Sequence, residues 1–203
     1  MTHYYESKIK QARFVYLFKE TIKKFLIRMK LNNNRWKSLF LFCAGIFVGT
    51  AFCMKWMEAD LWANGEKFTI PGLELFYTKE KMYNIFSGLD THVRTILRYH
   101  LYFDFAFMAG VYPGITSLCM MARQKSASLL RKRLLTILAW FQLLAWSGDV
   151  VENYYLLSWI EEPVIGHEFR LYHFIVGSKW VIALSGVLLS IPLILLRKRN
   201  KSF

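Results

Sequence analysis

Residues 146–155 read WSGDVVENYY and lie inside a run that is otherwise apolar. Asp149, Glu152 and Asn153 stand at positions i, i+3 and i+4, so a helix carries all three on one face, with Gln142 two turns away. Two further ionisable residues, Asp104 and Lys179, interrupt other apolar runs. Groups of these types can pair with each other, pass protons as acid and base, or hold a cation. An ionised carboxylate at the centre of an inserted helix costs roughly 2.5–3.5 kcal/mol, so each group needs a partner. Three acids against one base leaves a surplus. Unless Lys55, Arg98 or His100 reaches in, that surplus is protonated, hydrated or bound to a cation.

Catalytic signatures are missing around these residues. The chain has no nucleophile elbow, no HExxH pair and no phosphate-binding loop, and it reads as non-enzymatic with no call for a cofactor. Cys43, Cys53 and Cys119 all fall in apolar runs without a CxxC pair, which leaves them as small apolar residues. His92, His100, His167 and His173 match no metal-ligand spacing. Beside Tyr99, Tyr102, Trp159 and Tyr172 they read as a belt at a membrane interface.

Composition sets the elements that must position the acids. The 203 residues are 55% hydrophobic yet carry a net charge of +13, so apolar and charged residues must be segregated along the chain. A spanning helix needs about 20 mostly apolar residues, and stretches 38–57, 99–122, 134–160 and 172–196 qualify. The expected fold is an all-α integral membrane protein: a four-transmembrane-helix bundle over 38–203, with an outer loop at 58–98, preceded by a basic segment at 1–37. Residues outside the spans hold nineteen Lys and Arg on one side and six on the other, which places both termini in the cytoplasm. With this orientation Asp104, Asp149, Glu152 and Lys179 all lie roughly 7–17 Å below the outer surface, at about 1.5 Å per residue.

Packing signals point the same way. Lys179, Ala183, Gly186 and Ser190 form a small-residue stripe that lets the fourth span approach the acids closely. Gly45 and Gly49 form a GxxxG face on the first span, for packing within the chain or between subunits of a homo-oligomer. In the outer loop, Pro71-Gly72 marks a turn or extended segment, and a helix is expected over 79–86. Asp90 caps a helix that runs through Arg94, Arg98 and His100 into the second span.

The basic residues form two surfaces. Within 8–31, Val15, Phe18, Ile22, Phe25 and Met29 share a helical stripe, while Lys19, Lys23, Lys24 and Arg28 supply charge. That is the pattern of an amphipathic helix lying in a membrane plane and drawn to anionic lipid. Arg131, Lys132 and Arg133 charge the connection between the second and third spans. The helix at 8–31 could also dock RNA or an acidic partner.

Four spans on about 200 residues, a basic amphipathic N-terminal helix, a basic cytoplasmic connection and the GDVVENYY cluster together resemble the small membrane accessory proteins encoded beside the RNA-guided RNase of type VI-B CRISPR loci. The resemblance implies a non-enzymatic effector at the bacterial inner membrane that modulates RNA-targeting immunity. It further implies a cytoplasmic RNA-guided RNase, or its RNA, as partner, and an oligomeric pore or channel as a means of action. The residues alone leave two other readings open: an ion or small-solute transporter built on the intramembrane acids, and a membrane-embedded lipid enzyme.

Overall fold

Each apolar run of the sequence folds as one long helix. In the computed structural model, which describes residues 33–195, the helices are α1 (Asn33–Met57), α2 (Lys79–Ser87), α3 (Thr91–Lys125), α4 (Leu129–Glu161) and α5 (Glu168–Leu195). Four of them, all but α2, are long and apolar enough to cross a membrane. The segment 1–32, with the expected amphipathic helix and Lys19, Lys23, Lys24 and Arg28, lies outside the described residues, as does the tail beyond Leu195.

Helices α3, α4 and α5 pack on one another, and short connections make neighbours antiparallel. Small residues set the distances. A Cβ on Gly186 of α5 would stand 2.7 Å from Ile115 Cγ2 and 3.0 Å from Gln142 Nε2, so any larger residue there must push these side chains aside. Gln142 donates to Leu138 O and Ile182 O, both at 3.2 Å, tying α4 to α5. Pro113 and Pro192 sit inside α3 and α5 without ending them.

Helix α1 buries little: only Trp36 and Cys43 of its apolar side chains are buried. It approaches α3 closely at Gly110, where a Cβ would stand 2.7 Å from Phe47 N and 2.9 Å from Cys43 O. Gly45 and Gly49 have nothing within 4 Å of a built Cβ. Within the chain the close crossing therefore belongs to Gly110, because the GxxxG pair faces outward.

The connection 58–90 is a folded cap rather than an open loop. Asn64 and Gly65 both take positive φ, 53° and 77°, and turn a minimal hairpin that pairs Trp62 with Lys67 and Ala63 with Glu66. Of the turn or extended segment expected at Pro71-Gly72, the turn is what forms: Gly72–Phe76 is a wide helical turn closed by Tyr77 N–H donating to Gly72 O at 2.8 Å. Thr78 caps α2 and Asp90 caps α3, each accepting a backbone N–H three residues on, at 3.3 and 2.8 Å.

Leu61, Phe68, Leu73, Met82 and Phe86 of the cap pack on Leu97, Leu156, Trp159, Tyr172 and Val176 of the bundle. This corrects the interfacial belt. Tyr99 and Tyr102 are exposed (57% and 56%), but Trp159 (3%) and Tyr172 (0%) are inside the cap core. Tyr172 donates its hydroxyl proton to Leu73 O at 3.1 Å, which gives the buried phenol a partner and pins the cap.

Candidate functional site

Lys179 is where the bundle and the cap meet. Its helix is held close to α4 by Gly148, whose built Cβ would lie 3.2 Å from Ile175 Cγ2. The ammonium pairs with Asp149 and Glu152, one turn apart on α4. Both carboxyl groups are buried, and their i, i+3 spacing lets one cation bridge them. Tyr112 of α3 donates to the second Asp149 oxygen at 2.7 Å.

A fourth element enters from the cap. Glu74, on the wide turn, brings its carboxyl to 3.7 Å from Lys179 Nζ and accepts from Trp180 Nε1 at 2.8 Å. Desolvation pushes the Glu74 carboxyl above its ordinary 4.5, against the opposing pull of Lys179. The folded state therefore keeps this proton at pH values where the unfolded chain has lost it. Glu74's contribution to stability is greatest in acid and declines as pH rises above 4.5 through its raised value. Thermal midpoints followed from acid to neutral pH should fall more steeply for the native chain than for Glu74→Gln; parallel curves would show that Glu74 is not held in this way.

Asp104 completes the group on a different footing. Asn153 Nδ2 donates to it at 2.8 Å and also lies 3.4 Å from Leu101 O. That partner is neutral, and among the described residues Asp104 makes no ion pair. Lys55, Arg98 and His100 do not reach in, so of the alternatives open to the surplus acid, pairing with one of these is removed. Lys55 pairs with Glu58, Arg98 pairs with Glu161 at 2.5 Å, and both nitrogens of buried His100 lack a hydrogen-bond partner. The site thus holds four carboxyl groups, Glu74, Asp104, Asp149 and Glu152, for one ammonium.

A cavity of about 320 Å³ opens beside this cluster, with Glu74, Asp104, Asp149 and Lys179 at its polar end. Phe47, Trp180 and Leu184 form its exposed apolar rim between α1 and α5. No group of three or more His, Cys, Asp or Glu suited to a metal ion occurs among the described residues. The cavity thus sets three carboxyl groups and one ammonium at one end of a space large enough for a small organic cation.

Sequence reasoning singled out Asp104, Asp149, Glu152, Asn153 and Lys179, and the structure brings all five together. It missed Glu74, Tyr112 and Trp180. The isolated acid in GLELF was a signal of sorts, since a lone carboxylate among apolar loop residues needs a partner. At the other end of the bundle Arg131 and Arg133 are exposed and Lys132 is half-buried, all within the first turns of α4. Comparison with protein-family models, curated proteins and solved structures finds no match for the chain.

Proposed function

We propose that the chain is a multi-pass protein of the inner membrane, with both termini cytoplasmic, that binds a cationic group within the outer half of the bilayer and catalyses no reaction. One observation carries this reading: Asp104 faces a cavity with only a neutral hydrogen-bond partner, at the level where Lys179 is already engaged by Asp149 and Glu152. A carboxylate at that depth gains most from a cation, because the alternatives are protonation or a buried unpaired charge. Transport or sensing of a cationic small solute are the functions such a site serves.

The test is direct. Butylammonium should bind the purified full-length protein, and Asp104→Asn should weaken it by about 1.5–3 kcal/mol, the range for a charge-assisted hydrogen bond. That corresponds to roughly ten- to hundredfold. Asparagine can still accept from Asn153, so the fold is kept. Butanol binding as tightly as butylammonium would remove the cation site.

A second reading rests on the resemblance to the accessory proteins of type VI-B CRISPR loci, and the exposure of Arg131 and Arg133 is compatible with it. It treats the protein as the membrane accessory of a cytoplasmic RNA-guided RNase, acting as a homo-oligomer, with Arg131, Lys132 and Arg133 meeting the nuclease or its RNA. Reversal of these three charges should then abolish co-purification with such an RNase. Unchanged recovery would exclude this surface.

A further inference from the structure

The space beside Lys179 continues away from the charged cluster. A second cavity of about 340 Å³ adjoins the first, and Phe47, Val111, Ile115 and Val187 line both. Together they make one groove between α1, α3 and α5, reaching Leu118 and Ile191. From Asp104 to Leu118 the rise along α3 is roughly 21 Å at about 1.5 Å per residue. That length suits an extended chain better than a compact solute. The second cavity has no charged residue in its lining, whereas the first ends on three carboxyl groups and one ammonium. The rim residues Phe47 and Leu184 are exposed on the flank of the bundle, which in a bilayer faces acyl chains.

Resting on the cation-site reading above, we propose that the groove takes a lipophilic amine from the bilayer: one long apolar tail with a net positive ammonium head. The head sits at Asp104, whose hydrogen-bond partner Asn153 is neutral, and the tail lies along Val111, Ile115 and Val187. Charge complementarity selects this class. A zwitterionic phospholipid would set its phosphate among three carboxyl groups whose one ammonium, Lys179, is already engaged by Asp149 and Glu152, and a neutral amphiphile would leave Asp104 without a counter-charge. The tail adds little binding energy over lipid, because lipid is as apolar as the groove wall. Its role is to bring the head in sideways and fix its orientation.

A long-chain alkylammonium with a photoreactive diazirine near the tail end tests this on the full chain in phosphatidylcholine nanodiscs. Labelling should concentrate on Ile115, Leu118 and Ile191 over the outward-facing Val181 and Leu195, and dodecylammonium should displace it while dodecanol does not. Ala44→Trp, which fills the second cavity at a residue that does not line the first, should lower this label about tenfold, a loss of about 1.4 kcal/mol, with butylammonium binding unchanged as proof of an intact head site. Ala44→Ser should keep the label. Label confined to outward-facing residues, with butylammonium still bound, overturns the tail assignment and leaves the cation site standing. Failure of both amines to bind overturns both readings, and equal competition by dodecanol overturns the selection by charge.

Discussion

Lys179→Met should destabilise the bundle by about 3–5 kcal/mol, the effect of breaking a buried ion pair from one side. The ammonium pairs with Asp149 and Glu152 and stands 3.7 Å from Glu74, so its loss leaves three carboxyl groups facing one another with no cation. Protonation of these acids offsets part of that repulsion, and the defect should therefore shrink at low pH. The combination of Lys179→Met with Asp149→Asn, Glu152→Gln and Glu74→Gln removes the ammonium and the three facing carboxyl groups together and should recover much of the stability. Thermal unfolding of the purified proteins in one detergent measures all of these. A single variant as stable as the native chain would mean that Lys179 does not hold the cluster together.

Gly110→Leu is the second large effect. Its first side-chain atom would stand 2.7 Å from Phe47 N and 2.9 Å from Cys43 O, and both are backbone atoms of α1 that cannot swing aside. Overpacking of this kind costs about 1–3 kcal/mol. Here it should be relieved by displacement of α1, since that helix buries little else. A disulfide reports the displacement. A Cβ on Gly114 would lie 3.3 Å from Cys43 Cβ, close to the roughly 3.5–4.5 Å of a disulfide. With Cys53 and Cys119 replaced by alanine, Gly114→Cys should oxidise readily onto Cys43, and adding Gly110→Leu should abolish the cross-link. Equal yield in both backgrounds would show that α1 docks elsewhere.

The contrast between Gly110 and the pair Gly45, Gly49 shows what sequence could and could not reveal. A GxxxG motif records that a helix can be approached closely, but not by which partner: Gly110 and Gly114 form one as well, GVYPG, and it is this pair that meets α1 while Gly45 and Gly49 face outward. The acids were more legible. Asp149 and Glu152 share a helix face by spacing alone, and the small stripe ending in Ser190 brought Lys179 toward them. Both signals are local to one helix, and one helix is what hydrophobic periodicity describes.

Glu74 was hidden for the opposite reason. Its approach to Lys179 depends on the hairpin at Asn64-Gly65, the cap of α2 and the docking of Leu73 under Tyr172. Each of these is a short element whose place is set by tertiary packing. The same cap buries Trp159 and Tyr172, which composition alone assigns to an interface. The failure of Lys55 and Arg98 to join the cluster also follows from the cap end of the helices: Glu58 and Glu161 lie nearer and take them first.

Convergence of these charges can be read by covalent chemistry. A lipid-soluble carbodiimide activates a carboxyl group, and an adjacent amine then displaces the urea to form an amide; without an amine the group rearranges to a stable acylurea. In the full-length protein the cluster predicts an amide joining Lys179 to Asp149 or Glu152, with an acylurea on Asp104, both located by peptide mass spectrometry. Acylurea on Asp149 and Glu152 with Lys179 unmodified would place the ammonium away from the acids and contradict the site.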